Sequence, residues 1–243
     1  MKKLLWTVLL SAALNLSAPG ALYTSAYDSG FQNGGIIPDG NANGWTDTRT
    51  VSGVSGIIQD VNVYVNVSGG ANGDLYAYLS FKNGSVVLLN RVGTTSSNPF
   101  GSSAAGFGSG PTRYNFKLDD AGATDIHAYN SGDPVTGVYQ PDRRTADPLV
   151  VLDTSTRGSS LASFNNLSPN GDWTLFFADT VGGNSPSTVV SWGLEITAVP
   201  EPVNTALGIF GGVFVVVLIS KNQRMRKRIH RWRDGVVEWV DAV

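Results

Sequence analysis

Aspartate and asparagine residues at a regular spacing are the first candidates for chemistry in this chain. The segment Asp39-Gly40-Asn41-Ala42-Asn43-Gly44 carries side-chain oxygens on alternate residues and a glycine at its sixth position. This pattern is typical of a calcium loop, in which carboxylate and amide oxygens bind a hard cation and the glycine allows a sharp turn. An EF-hand also needs a bidentate glutamate at loop position twelve, and Thr50 occupies that position. The sequence therefore excludes a complete EF-hand but leaves a Ca2+ site open.

Aspartates from other segments are candidates to complete such a site. The alternative is that they cap turns and backbone amides, as aspartate and asparagine commonly do. Fourteen of the 15 acidic residues between positions 21 and 200 are aspartate, so the sequence contains enough aspartates for either role. The candidate calcium ligands are Asp39, Asn41, Asn43, Asp47, Asp74, Asp119, Asp120 and Asp179.

Other catalytic or metal chemistry has little support in the sequence. The chain has no cysteine and two histidines, which excludes disulfides, iron–sulfur sites and cysteine-based zinc sites. There is no Gly-x-Ser-x-Gly nucleophile motif and no phosphate-binding or dinucleotide motif. His127 is a lone candidate base, and such a residue is more often structural than catalytic. We therefore predict that the protein is not an enzyme, with a cryptic hydrolase that uses His127 as the alternative.

The net charge of −2 conceals an uneven distribution along the chain. Residues 21–200 contain 8 basic and 15 acidic residues, a net charge of −7, whereas residues 221–243 contain seven lysines and arginines. Binding to nucleic acid requires basic surfaces that neutralise phosphates, and the central segment lacks this balance. We therefore expect no nucleic-acid partner.

Several segments between residues 57 and 198 alternate apolar and polar residues with a period of two, which predicts half-buried strands. Glycine-containing turn signals separate them, and Asn83-Gly84 between two such runs indicates a hairpin. Residues 93–112 are rich in glycine and serine and are typical of a long loop. The predicted fold class is all-β, an antiparallel jelly-roll β-sandwich over residues 35–198. The clearest runs are Val61–Val67, Leu75–Phe81, Trp173–Phe177 and Val190–Ile196.

A series of sequence blocks in this segment resembles the P domain (P/Homo B) that follows the catalytic domain of subtilisin-like proprotein convertases. The resemblance implies a jelly-roll β-sandwich, and in convertases this domain stabilises its catalytic neighbour. No protease domain fits between the predicted signal peptide and this segment. The blocks include Ile37-Pro38-Asp39-Gly40, Gly73-Asp74-Leu75, Phe116-Lys117-Leu118-Asp119-Asp120-Ala121, Gly137-Val138-Tyr139-Gln140-Pro141, Gly171-Asp172-Trp173-Thr174-Leu175, Ala178-Asp179-Thr180 and Ser191-Trp192-Gly193-Leu194.

The N-terminal end has the pattern of a secretory signal peptide. Lys2 and Lys3 precede the apolar stretch Leu4–Leu14, and small residues follow. Cleavage after Gly20 gives a signal peptide of residues 1–20, and Thr24-Ser25-Ala26 is a second candidate cleavage sequence. We therefore expect export through the Sec translocon.

The C-terminal end combines three features in order. The motif Pro200-Glu201-Pro202 precedes an uncharged apolar run, 203–220, which predicts a transmembrane helix. A basic cluster follows and places its own side of the membrane in the cytoplasm. Residues 199–233 thereby resemble the PEP-CTERM sorting signal, which implies processing by an exosortase, while residues 234–243 extend beyond that pattern. The basic cluster comprises Lys221, Arg224, Arg226, Lys227 and Arg228.

Together these features predict an exported, non-enzymatic protein of the cell envelope surface or extracellular matrix, reached through an inner-membrane intermediate. Its β domain is predicted to be a binding or structural module whose partner is an exopolysaccharide. The alternative is an accessory module that acts in trans with a secreted subtilisin-like protease. Aromatic residues that could stack on sugars are Trp45, Tyr76, Tyr78, Tyr129 and Tyr139.

Overall fold

The structure is a computed structural model, and it describes residues 20–108, 115–129, 135–183, 185–200 and 202–221. The chain divides into two compact units. One unit comprises Pro19–Val199, and the other comprises Met1–Ala18 together with Pro200–Val243. The predicted signal peptide, Glu201, residues 222–243 and most of the basic cluster lie outside the described residues.

The larger unit consists of two β-sheets around one core. The first sheet has five strands in the order β1-β9-β3-β6-β7, and the second has four in the order β2-β8-β4-β5. The strands are β1 (Ala21–Tyr27), β2 (Asn41–Val51), β3 (Ile57–Ser68), β4 (Leu75–Phe81), β5 (Gly84–Asn90), β6 (Phe116–Leu118), β7 (Gly137–Tyr139), β8 (Gly171–Asp179) and β9 (Thr188–Val199).

The alternating runs of the sequence form the central strands, as predicted. Val61, Val63 and Val65 of β3 are buried because successive side chains of a strand point to opposite faces. Both sheets contribute to one hydrophobic cluster. Its largest side chains include Trp173, which stacks on Phe81 with ring centroids 3.8 Å apart. The all-β sandwich class is therefore confirmed.

Three details of the sheets differ from the prediction. Among the strands of the described residues, β6 and β7 pair in parallel, and both are too short to be recognised by alternation. The hairpin between β4 and β5 is present, but its turn residues are Lys82 and Asn83, with Phe81 opposite Gly84. Strand β1 pairs with β9 and precedes the predicted domain start at residue 35, and the second candidate cleavage sequence, 24–26, lies within it.

The predicted calcium loop is largely a strand. Asn41, Asn43 and Gly44 belong to β2, which pairs with β8 and has a register irregularity between Asn41 and Trp45. Gly44 adopts a φ of 60°, and a Cβ at this position would lie 2.1 Å from the Phe177 carbonyl oxygen. The lack of a side chain at Gly44 therefore allows β2 and β8 to pair closely at a bulge. It does not form the sharp turn of a cation loop.

The smaller unit contains a helix, α1, over Pro202–Lys221. The helix starts at the second proline of the motif, and proline is well suited to the first turn of a helix. The sequence predicted a membrane span over 203–220. Among the residues that the structure describes, no helix is both long and apolar enough to cross a membrane.

Candidate functional site

Three of the predicted calcium ligands meet at one end of the four-stranded sheet. Asp179 ends β8, opposite Asn41 at the start of β2 and Leu75 at the start of β4. Because β8 runs antiparallel to both neighbours, its last residue lies beside their first residues. Asp74 immediately precedes β4, and Asp39 lies two residues before β2. Burial raises the pKa of Asp179, and the charges of Asp74 and Asp39 raise it further. We call Asp39, Asp74 and Asp179 the acidic cluster.

Asp179 has the most perturbed environment of this cluster. Its side chain is fully buried, and burial together with the charges of Asp74 and Asp39 raises its pKa to about 6. Oδ1 accepts a hydrogen bond from the Val181 amide at 3.2 Å. Oδ2 is buried without a hydrogen-bond partner. A buried carboxylate oxygen without a donor is costly, so this site favours either a bound proton or a bound cation.

The remaining predicted ligands are committed elsewhere. Asp47 Oδ2 accepts from Arg49 Nε and Trp192 Nε1, each at 2.7 Å. Asp119 pairs with Lys117 Nζ at 3.0 Å. These contacts replace the calcium role with ion pairing and packing for Asp47 and Asp119.

Two further members of the predicted set cap backbone amides. The Asp120 carboxylate accepts from the amides of Leu161 and Ala162, at 3.2 and 2.8 Å. Asn41 Oδ1 accepts from the Asn43 amide at 2.9 Å. The turn-capping interpretation therefore describes these side chains.

The acidic cluster fits a hard cation in charge, since the orphaned Asp179 Oδ2 lies close to two further carboxylates. It does not provide a complete set of side-chain ligands. Within the described part of the chain, no group of three or more His, Cys, Asp or Glu side chains is arranged to hold a metal ion. Calcium binding thus stays a prediction, and Asp179 is the residue on which it rests.

A second group of polar residues is fully enclosed between loops. His127 and Asp142 are 1% and 0% exposed, and Nδ1 of the histidine lies 2.7 Å from Oδ2 of the aspartate. Nε2 lies 2.9 Å from the Thr94 carbonyl oxygen. Both ring nitrogens therefore lie within hydrogen-bonding distance of oxygen atoms of neighbouring residues. This pair holds the loop around Thr94 against the loop around Asp142.

Arg144 and Asn90 also bind Asp142 and enlarge this buried polar group. Arg144 Nη1 donates to Asp142 Oδ1 at 3.0 Å and to Asp125 Oδ2 at 2.9 Å. Nearby carboxylates raise the pKa of Arg144, although burial by itself would lower it. The backbone amide of Asn90 donates to Asp142 Oδ2 at 3.1 Å. These contacts make Asp142 the centre of a network that fixes the irregular segments of the sandwich.

The geometry around His127 is unsuited to general-base catalysis. Thr94 Oγ1 lies 3.3 Å from Nε2, so aspartate, histidine and hydroxyl have the order of a catalytic triad. However, the Thr94 hydroxyl donates to the Arg91 carbonyl at 2.9 Å, and the whole group is buried. A base must have a free nitrogen within reach of a substrate proton, and neither nitrogen of His127 meets that condition.

Arg91 organises an exposed surface that sequence reasoning did not identify. Its guanidinium donates to the carbonyls of Gly73, Pro99 and Pro148, at 2.9, 3.1 and 3.4 Å. The residues that follow the two prolines are strongly exposed and apolar. They are Phe100 at 77%, Leu149 at 68% and Val150 at 69% exposure, and we call them the apolar tip. The only signal in the sequence is a bulky apolar residue after proline in a glycine- or aspartate-rich segment, which is weak.

The aromatic residues proposed for sugar stacking are dispersed. Tyr76 and Tyr78 lie on β4 and pack with Phe176 of β8, and the rings of Tyr78 and Phe176 stack with centroids 4.7 Å apart. Trp45 is 4% exposed and packs against Phe31, so it belongs to the core instead.

Tyr129 and Tyr139 form a different aromatic group. Their rings lie 6.1 Å apart, and Tyr139 also packs on Phe116 of the five-stranded sheet. The tyrosines of the prediction therefore divide between the two sheets, and only Tyr76 and Tyr78 share a face.

No protein-family model matches the sequence, and no curated protein matches it. The two family resemblances of the sequence therefore stay predictions. Solved structures that match the chain include a crystal structure of a serine protease of Aeromonas sobria, at 14% identity and a TM-score of 0.41. They also include a crystal structure of an Aeromonas sobria serine protease in complex with the chaperone ORF2, at 13% identity and a TM-score of 0.41. Each match covers 79% of this chain and 29% of the other chain. At these values we base no argument on the likeness.

Proposed function

We propose that this protein is a non-catalytic β-sandwich module that acts by binding. The observation that carries the proposal is the environment of His127. Its two ring nitrogens lie within hydrogen-bonding distance of Asp142 and the Thr94 carbonyl inside the core. Because the sequence offers no other arrangement of nucleophile and base, chemistry at this residue was the main enzymatic alternative. A binding module needs only a stable framework and an accessible surface.

The strand order supports the jelly-roll assignment within the β-sandwich class. Strands β1, β9, β3, β6 and β7 form one sheet and β2, β8, β4 and β5 the other, so consecutive strands alternate between sheets along much of the chain. This alternation is the expected result of wrapping two Greek keys into a sandwich. It agrees with the P/Homo B resemblance of the sequence.

We propose further that the module is an accessory to a secreted subtilisin-like protease, with which it associates in trans. The sequence resemblance to P domains supports this partner class, because such domains pack against protease domains. The exposed apolar tip supports association with a protein, since exposed apolar groups held on rigid loops commonly mark interaction sites.

A second candidate function is attachment to a matrix polysaccharide. The observation that favours it is the aromatic group of Tyr76, Tyr78 and Phe176 on the four-stranded sheet. Threonines lie on the same face, and Thr48 and Thr174 share a hydrogen bond of 2.8 Å between their hydroxyls. A neutral surface of rings and hydroxyls suits a sugar chain better than a charged ligand.

One experiment separates the two candidates. The purified full chain is passed over immobilised exopolysaccharide of the producing cells and, separately, over the immobilised secreted subtilisin-like protease of the same cells. We expect retention by the protease and none by the polysaccharide. Retention by the polysaccharide that Tyr78→Ala abolishes, without retention by the protease, would favour the matrix function. Hydrolysis of peptide or glycoside substrates by the purified chain would contradict the non-catalytic proposal.

We propose that the protein is exported and sorted at its C-terminal end by an exosortase. The support is the order of signal-peptide pattern, Pro-Glu-Pro motif, apolar helix and basic cluster in the sequence. We expect the mature chain from cell-envelope and medium fractions to lack the residues after the motif. In cells without exosortase, mass spectrometry should find the C-terminal end intact. An intact C-terminal end in both strains would refute sorting while leaving the binding proposal unaffected.

A further inference from the structure

We infer that the apolar tip is the docking surface of the module and that it fits a partner protein with an apolar pocket bordered by lysine or arginine. This inference rests on the proposed accessory function, because it assigns the surface through which the protease would be bound. It concerns Phe100, Leu149 and Val150, none of which was a predicted site residue.

The three side chains belong to two segments that are far apart in sequence but held at one place. The Arg91 guanidinium donates to Pro99 and Pro148, the residues immediately before Phe100 and Leu149. One planar group therefore fixes the separation of the two segments. Single apolar residues are common on protein surfaces. Exposed apolar residues on two loops that one buried arginine holds in place are less common, and they indicate an interaction site.

Arg91 is held at some energetic cost. It is 7% exposed, and its φ of 51° lies in the left-handed region that non-glycine residues rarely adopt. Its charge is buried against backbone carbonyls, including that of Gly73. Buried charges and unusual backbone conformations persist only where surrounding structure imposes them, and they concentrate at functional sites.

Each segment is also ordered by its own turn. The Leu149 amide donates to Asp147 Oδ1 at 2.8 Å, which fixes the start of the apolar pair. Asn98 Nδ2 donates to the carbonyls of Gly93 and Gly101, at 3.1 and 2.9 Å, and thereby closes the loop that carries Phe100. Preformed loops lose little conformational entropy on binding, so the apolar tip is prepared for association.

Charge identifies the kind of partner. Asp147 and Asp153 are exposed and flank Leu149 and Val150 in sequence, which gives the apolar tip an acidic rim. Anionic lipid headgroups would be repelled by this rim. A second copy of the chain would bring like charges together, whereas a pocket edged with basic residues would be complementary.

The test measures binding of the purified full chain to the secreted subtilisin-like protease by biolayer interferometry. Phe100→Ser and Leu149→Ser should each weaken binding about tenfold or more, as expected for apolar anchors at the centre of an interface. Asp147→Lys should weaken it as well, and added salt should do the same. Leu22→Ser is the matched control, because Leu22 is 63% exposed and lies on β1. That variant should bind like the wild type.

A second arm keeps the docking surface testable without the protease. Peptides displayed on phage are selected on the full chain, and we expect enrichment of sequences that combine leucine or phenylalanine with lysine or arginine. These peptides should bind the Leu22→Ser variant but not Phe100→Ser. Success here without protease binding would refute the accessory function and retain the docking surface.

Three outcomes would overturn the inference itself. One is protease binding that Phe100→Ser and Leu149→Ser leave unchanged, which would retain the proposed function but move the interface. Another is a peptide selection without any dependence on Phe100. The last is dimerisation, or binding to phosphatidylglycerol vesicles, that Phe100→Ser abolishes.

Discussion

Replacing His127 by alanine is expected to lower the free energy of unfolding by about 3–5 kcal/mol, the usual cost of removing one partner of a buried ion pair. The reason is the position of Asp142, which is 0% exposed and would keep its charge with one hydrogen-bond donor fewer. The Thr94 carbonyl would also lose its partner. Two loops would thus be released from one another by a single substitution.

Thermal unfolding followed by circular dichroism provides the measurement. For a domain of this size the loss corresponds to a decrease in Tm of about 6–20 °C. Asp153→Asn is the control, because this carboxylate is exposed, and its Tm should change little. If His127→Ala melts within two degrees of the wild type, the buried pair is not the support that its geometry indicates.

A double-mutant cycle separates the pair from general damage to the core. Asp142→Asn should destabilise the domain by itself, and the double variant should lose clearly less than the sum of the single losses, because the two side chains share one interaction. A double variant that loses the full sum of the two single losses would contradict an interaction between these side chains.

Asp179→Asn is expected to stabilise the domain at pH 7 in metal-free buffer. Burial raises the pKa of the native Asp179 carboxyl to about 6, from an ordinary value of 3.8. A difference of this size corresponds to about 1–3 kcal/mol of stability that the wild type lacks once the group is ionised. The asparagine amide would place a donor where Oδ2 has none, close to Asp39 and Asp74.

The sign of the pH dependence follows from the raised pKa. Between pH 4 and 6 the native state binds more protons at Asp179 than the unfolded state, so stability decreases as pH rises. The contribution is fully present below about pH 4 and lost as pH passes the native value of about 6. The difference in Tm between Asp179→Asn and the wild type should therefore grow over this interval. A difference that stays constant from pH 4 to 8 would contradict the raised pKa.

The same variant decides the calcium prediction. If a cation binds the acidic cluster, millimolar Ca2+ at pH 7 should raise the Tm of the wild type, and a chelator should reverse the effect. Asp179→Asn should respond much less, whereas Asp120→Asn, which removes a capping carboxylate elsewhere, should retain the full response. A wild-type Tm that ignores both calcium and chelator would refute the calcium prediction and leave the proton-based explanation of Asp179.

Strands that lie at the centre of a sheet could be read directly from the sequence. In β3 and β9 one face is core and the other is polar, so the period of two survives in the residues themselves. The short strands β6 and β7 could not be read, because three residues are too few to display a period. Strand β2 was hidden for another reason: its polar residues, including three outward-facing threonines, resemble a loop.

Some features of the candidate sites could likewise be predicted from the sequence, and others could not. Composition alone indicated that aspartate is the principal acidic residue, and the segment Asp39–Gly44 predicted a cation site. The fold decides which groups lie next to each aspartate side chain. Those neighbours determine whether the side chain caps amides, forms an ion pair or joins an acidic cluster. Asp120 meets the amides of Leu161 and Ala162, which are 41 and 42 residues away along the chain. No local pattern contains that contact.

By itself the sequence determined the all-β class, the central strands, the lack of any cysteine chemistry and the acidic character of the β domain. These properties depend on residue type and on short periods, which act locally. The tertiary structure alone decided that Asp39, Asp74 and Asp179 converge and that His127 is buried against Asp142. It also decided that Arg91 binds the carbonyls of the two residues that precede Phe100 and Leu149. Each of these depends on strand register and loop closure between distant segments, and such long-range geometry is set by the packing of the two sheets as a whole.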